Sequence, residues 1–363
     1  MALRKLEDVV IYRDDEWYST FPSVVRLSDG RLLCGFRRAP ERRLQPGGTV
    51  SHTDPNSQAM CVTSADDGAT WDAEPRLIYA HPAAGCQDPC LHRLRDGAIV
   101  CSLFAWQLFP VGFAEHMAGP HVVRDREEHG WPMANVGVHV LRSEDDGATW
   151  SQPVLLDYPE GSTRRPVGEV ERGGARGGGV HLEDGSLLLP VYSGSTGSNV
   201  FRSTDGGRSF EHLATIAFDE HIMFEEQHLH LCASGKVMAF LRTAGMDGYL
   251  AYSWSTDGGA TWAAWQRSDI WGHPFTTAHC ADGRVLLAYG YRREPFGIRC
   301  TLLDPECEQV DVAGELVLRD DLGNTDIGYP WAMALPDGRV LVAYYANIDG
   351  GTRYLAASFV AIK

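Results

Sequence analysis

Short apolar runs come in pairs along this chain, each pair folded about a polar turn. "SVVRLSDGRLLCGF" begins at Ser23, "CLHRLRDGAIVCSLF" at Cys90 and "GVHLEDGSLLLPVY" at Gly179. "HLHLCASGKVMAFL" follows at His228, "AHCADGRVLLAYGY" at Ala278 and "AMALPDGRVLVAYY" at Ala332. Asp and Gly tolerate the positive φ angles of a tight hairpin turn, so each pair predicts two antiparallel strands. The runs are apolar at nearly every position, as expected of strands covered on both faces. No stretch carries the 3.6-residue period of an amphipathic helix of three or more turns. Six hairpins at intervals of about 50 to 90 residues, with no linker near the middle, predict an all-β fold. We read it as one six-bladed β-propeller of four-stranded antiparallel blades spanning 1–363.

A second repeat supports this. "SADDGATW" (64–71), "SEDDGATW" (143–150), "STDGGRSF" (203–210) and "STDGGATW" (255–262) each follow a third strand and precede a fourth. In such an octapeptide Ser and Asp can bond turn amides, Gly can turn left-handed, and the aromatic residue can plug the blade edge. The paired aspartates could suggest calcium, but the remaining oxygen ligands of a calcium loop are absent. The motif reads as a hairpin staple.

Strand parity then divides the fold into two faces. The Asp-Gly turns and the octapeptides must share one face. The start of each first strand, the loop between strands 2 and 3, and the crossover between blades fall on the other. That second face collects Thr20, Phe21, Arg37, Arg38, Arg42, Arg43, His52 and Asp54 from blade 1, and Gln87 and Asp88 from blade 2. Blade 2 also adds a long loop from Ala105, and blade 3 adds Glu171, Arg172 and Arg176. Blades 4 to 6 bring Glu225, Glu226, Arg242, Arg292, Arg293, Arg299, Asp326, Tyr329, Tyr344 and Tyr345. Any one arginine could simply pair with a rim carboxylate. Their convergence in a chain of net charge −16 points instead to a clamp for an anionic ligand.

The same charge argues against a nucleic-acid or anionic membrane partner. Nine scattered cysteines read as reduced core thiols. With no apolar leader or membrane span in the sequence, a cytoplasmic location is expected. Oligomeric state is not legible.

The octapeptide is the Asp-box, and with six hairpins the chain resembles the sialidase (neuraminidase) superfamily over essentially its whole length. The resemblance implies a retaining exo-glycosidase for a terminal acidic sugar, with a glycan or small acidic sugar as substrate and no cofactor. "EQHLHLCASGKVMAFLR" resembles the family's Glu-to-Arg hairpin, so Glu226 would activate the nucleophile and Arg242 would bind the sugar carboxylate. "GYPWAMALPDGRVLVAYY" makes Tyr329 the nucleophile, and "PFGIRC" makes Arg299 a further carboxylate ligand. "HTDPNSQAMCVTS" makes Asp54 the acid/base, with His52 as fallback; Asp88 joins the substrate-binding set. The family's Arg-Ile-Pro is replaced by Thr20-Phe21-Pro22, so its first arginine is missing and Arg37 or Arg38 would compensate. The alternatives are a glycan-binding propeller without chemistry, or a polysaccharide lyase or another glycosidase on this fold. A metal held by His52, His228 and His230 is a weaker reading.

Overall fold

In the computed structural model, residues 3–46, 48, 52–116, 122–123, 131–156, 173–193 and 197–362 are described. Six antiparallel sheets carry the chain. Blade 1 is Trp17–Arg26, Leu32–Pro40, Gln58–Ser64 and Arg76–Tyr79. Blade 2 is Gly85–Arg93, Ile99–Leu108, Met133–Ser143 and Val154–Leu155, with Val122–Val123 added beside its third strand. Blade 3 is Val180–His181, Leu187–Ser193, Gly197–Ser203 and Glu211–Ala217. Blade 4 is Met223–Leu231, Val237–Ala244, Tyr249–Ser255 and Gln266–Trp271, and blade 5 is Phe275–His279, Val285–Tyr291, Gly297–Leu303 and Leu316–Arg319.

Blade 6 takes Gly328–Ala334, Val340–Ala346 and Tyr354–Ile362 from the C-terminal part of the chain. Its outermost strand is Leu3–Tyr12, which pairs antiparallel with Tyr354–Ile362. This closure removes the open edge between first and last blades. The hairpin pattern did not disclose it, because a closing strand needs only half-apolar alternation.

The second strands are the most deeply buried. Leu32, Leu33 and Cys34 in blade 1, and Val340 through Ala346 in blade 6, have no accessible surface. Core clusters run between neighbouring blades; one joins Phe36 and Val62 of blade 1 to Leu341 and Phe359 of blade 6. All nine cysteines are buried and free.

The Asp-boxes act as the staples expected. In the first, Ser64 Oγ donates to Asp66 Oδ1 (2.8 Å) and accepts from Gly68 N (2.9 Å). Asp66 accepts from Thr70 N (2.8 Å), and Trp71 Nε1 donates to Gly68 O (3.0 Å). The second, third and fourth copies repeat the Ser–Asp and Gly–Ser bonds.

First strands of all six blades line an axial channel of about 300 Å³, with His92, His181, His228, His230 and His279 on its wall. Burial pulls His92, His228 and His230 down to about 3, so these imidazoles are neutral. His52 stands elsewhere, at the mouth opposite the Asp-boxes, so the His52–His228–His230 metal site does not assemble.

Candidate active site

On the face away from the Asp-boxes, all six blades contribute to a cavity of about 340 Å³. Phe21, His52 and Thr53 come from blade 1, and Gln87, Asp88, Phe104, Trp106 and Asn135 from blade 2. Tyr192, Glu225, Glu226, Arg242, Arg292 and Tyr329 complete the wall from blades 3 to 6.

A shared backbone device aims four of these side chains. The first strands of blades 1, 2, 4 and 6 each break register once, between Thr20 and Ser23, Gln87 and Cys90, Glu225 and His228, and Gly328 and Trp331. Inside the breaks, Phe21, Asp88, Glu226 and Tyr329 have φ of 58°, 47°, 43° and 50°. Left-handed backbone is uncommon for residues other than glycine and costs about 1–3 kcal/mol. A bulge turns a strand residue out of the pleat, and here every such residue faces the cavity. Arg176, 2% exposed, braces two of the bulges by donating from Nη2 to Tyr329 O (2.8 Å) and Pro22 O (3.0 Å).

Three groups meet at the cavity floor. The Tyr329 hydroxyl donates to Glu226 Oε1. Arg242 Nη1 donates to Glu226 Oε2 (2.5 Å) and to Tyr329 Oη (3.1 Å). The Arg292 guanidinium lies 5.1 Å from the Tyr329 ring centre, and its Nε donates to Ile327 O (3.0 Å). Burial and the Glu226 charge push the Tyr329 phenol well above its usual range. Burial also works against ionised Glu226, but the charge and hydrogen bonds of Arg242 outweigh it and hold the carboxyl low. At rest the pair is therefore a neutral phenol bonded to a carboxylate.

Asp88 behaves oppositely. Burial, partly offset by Arg176 and reinforced by Glu226, pushes it up to about 7. Its Oδ1 is buried without a hydrogen-bond partner. One cavity thus holds a carboxylate kept ionised and a second whose proton comes and goes near neutral pH.

Of the residues singled out in the sequence, Tyr329, Glu226, Arg242 and Asp88 come together here. Glu225 lines the same wall, with its carboxylate 4.0 Å from Arg242 Nε against 2.5 Å from Nη1 for Glu226. Others lie elsewhere. Asp54 is buried and held by Arg42 Nε (2.6 Å) and Nη2 (3.0 Å), and it does not line the cavity. Arg299 does not line it either: its Nη1 bonds Glu315 (2.6 Å) and its guanidinium lies 3.6 Å from the Tyr291 ring centre. Arg43 pairs with Glu41 (2.8 Å) and Arg38 lies over Trp17. For Arg42, Arg43 and Arg299 the local carboxylate is the partner. Arg37 is fully buried and does not line the cavity; its guanidinium lies 5.3 Å from the Tyr18 ring centre and 6.0 Å from that of Phe21, with no hydrogen-bond partner on any nitrogen. Glu171 and Arg172, and much of the long blade 2 loop that follows Ala105, lie outside the described residues.

Two features escaped the resemblance. Arg292, and not Arg299, brings blade 5's guanidinium to the cavity; strand parity had marked it, since it directly follows the second strand. His52 Nε2 lies 2.9 Å from Asp326 Oδ1. Asp326 in turn accepts from Tyr18 (3.0 Å), Tyr345 (2.9 Å) and Arg353 (2.6 Å). Burial raises the Asp326 pKa, but His52 and Arg353 outweigh it and leave it well below the usual range. No sequence signal joins residues 52 and 326.

Comparison with protein families matches residues 123–342 to the BNR repeat-like domain. The chain belongs to that family. Sequence comparison with curated proteins gives no match. Among solved structures, this BNR-repeat propeller is similar to a Dyadobacter fermentans protein of unknown function, at 38% identity and TM-score 0.90, with both chains covered in full. It is also similar to the NanB sialidase of Streptococcus pneumoniae, at 15% identity and TM-score 0.67, covering 94% of this chain and 68% of that one. The intramolecular trans-sialidase of Ruminococcus gnavus matches at 16% identity and TM-score 0.66, covering 95% and 94%. At such identities the likeness to sialidases is one of fold, and at that level the resemblance read from the sequence holds.

Proposed function

We propose that this propeller is a retaining exo-glycosidase acting on a terminal acidic sugar, with Tyr329 as nucleophile. The observation that carries the reading is the Tyr329–Glu226–Arg242 constellation on two strained bulges. A neutral phenol can approach an anomeric centre bearing a carboxylate, where an anionic nucleophile would be repelled; tyrosine nucleophiles are an exception to the usual carboxylate pair. As Tyr329 Oη bonds to the anomeric carbon, its proton passes to Glu226 and Arg242 Nη1 stabilises the charge gathering on the phenol oxygen. The glycosidic bond breaks and Asp88 protonates the departing oxygen. Water, giving its proton to Asp88, then displaces Tyr329, which recovers its proton from Glu226.

Asp88 takes the proton-transfer role in this scheme in place of Asp54. A general acid should titrate near the working pH and face the substrate, and two cavity carboxyls pushed apart in pKa mark the acid and its counterpart. Arg242 and Arg292 are the guanidinium groups available to a sugar carboxylate. Phe21, next to Thr20 at the place of the missing family arginine, lines the blade 1 side of the cavity, and with Phe104, Trp106 and Tyr192 it gives an aromatic wall suited to a sugar face.

The test is turnover of 4-methylumbelliferyl glycosides, acidic and neutral, by wild type and Tyr329→Phe. Release from an acidic glycoside with retained anomeric configuration, lost in the variant, is expected. Binding without turnover would favour a non-catalytic glycan binder, and an unsaturated product would favour a lyase.

A further inference from the structure

Blade 5 lacks an Asp-box. Where the other copies place Ser, Asp and Gly, its third strand leads into "LDPECEQ", residues 303–309. Two features of the staple survive. Glu306 accepts from Ser234 N (3.1 Å) and Ser234 Oγ in the blade 4 hairpin, as Asp146 of the second Asp-box accepts from Ser28 N and Oγ in blade 1. Cys307 then stands where that box has Gly147, and keeps a left-handed φ of 49° against 80° for the glycine. A cysteine held in a glycine's conformation directs its side chain where the other boxes have only hydrogen. In the boxes that space faces the preceding blade: a Cβ on Gly147 would meet Leu33 of blade 1 at 2.8 Å.

What Cys307 faces in blade 4 is a second thiol and an imidazole. One ligand atom each from His230, Cys232 and Cys307 lie within 4.8 Å of one another, the one such group of three or more among the described residues. All three residues are buried, at 4%, 3% and 3% exposure. His230 Nδ1 bonds Thr277 Oγ1 (2.9 Å), leaving Nε2 buried without a partner. A neighbouring hydrogen bond on one ring nitrogen is how metal-binding histidines are commonly oriented. The turn also carries Asp304, Glu306 and Glu308, a negative surround for a cation.

We propose that His230, Cys232 and Cys307 form a binding site for a thiophilic divalent cation, with zinc as the occupant. Two sulfurs and one imidazole nitrogen suit Zn²⁺ and disfavour Mg²⁺ or Ca²⁺. Zinc at about 2.3 Å from sulfur and about 2.0 Å from nitrogen needs only a modest contraction of the present cluster. Bridging the blade 4 hairpin to the blade 5 edge, the ion does between blades what the missing Asp-box would have contributed within one.

The experiment uses the full chain, stripped with a chelator under reducing conditions and titrated with Zn²⁺ and, separately, Co²⁺. One zinc per chain is expected, with a rise in melting temperature of about 3–5 °C at a hundredfold excess over Kd. Cobalt should show thiolate-to-metal charge-transfer absorption in the near ultraviolet. Cys307→Gly, which restores the residue the turn conformation favours and so retains the fold, should lose the stoichiometric zinc and the cobalt band; His230→Gln should weaken both. Zinc-independent melting of wild type, a cobalt spectrum without thiolate bands, undiminished binding by Cys307→Gly, or a Cys232–Cys307 disulfide in the freshly purified protein would each overturn the site.

Discussion

The two faces of this propeller solve different problems with the same strands. On the Asp-box face four turns repeat nearly atom for atom, and their bonds link residues two to four apart. On the cavity face no two blades contribute alike: Phe21, Asp88, Glu226 and Tyr329 occupy one bulge position in four blades and are four different residue types. Repetition marks what every blade needs to fold. Divergence at a repeated position marks what the molecule needs once.

The comparison breaks most sharply at Tyr329. Tyr329→Phe and Glu226→Gln should each lower kcat by about 10³-fold or more while leaving the melting temperature within a few degrees. Variants close to wild type in steady-state kinetics would remove the cavity from the chemistry.

Asp88→Asn should follow, with a loss of about 10²–10³-fold in kcat/KM, while Asp54→Asn should act mainly on stability through Arg42. The pH profile sharpens this. Asp88 must be protonated to act as the acid, so kcat/KM should fall as pH rises through about 7. Its raised folded pKa also means stability declines from the ordinary carboxylate range up to about 7, because deprotonation leaves a buried charge. Asp88→Asn should flatten that decline in a series of urea melts, and an unchanged slope would count against the assignment.

A smaller effect is expected for the guanidinium groups. Arg292→Gln should raise KM for an acidic glycoside about tenfold and leave a neutral one nearly unaffected, since a charge-assisted bond contributes about 1.5–3 kcal/mol; Arg299→Gln should spare both. Least of all, Asp66→Ala should cost about 1 kcal/mol of stability by removing the staple of one blade, read as a shifted urea midpoint at unchanged specific activity.

Much of this was legible in the chain. Turns of Asp-Gly, doubly apolar strands and the octapeptide all report local rules, so blade number and the dividing of faces followed directly. Tyr329, Glu226, Arg242 and Asp88 were reachable because parity places them at one end of their strands. Parity did not sort the remaining arginines on that face, because a guanidinium takes whichever carboxylate lies nearest: Arg42 found Asp54 twelve residues away, Arg299 found Glu315, and Arg292 was left facing the cavity.

The sequence by itself determined the repeated elements, since each depends on backbone preferences and hydrogen bonds within a few residues. Only the tertiary structure decided which residues meet across the ring. Closure by Leu3–Tyr12, the His52–Asp326 pair and the opposed pKa shifts of Glu226 and Asp88 depend on burial and on charges brought close from distant strands. Those are properties of neighbours in space, and a linear chain does not write them down.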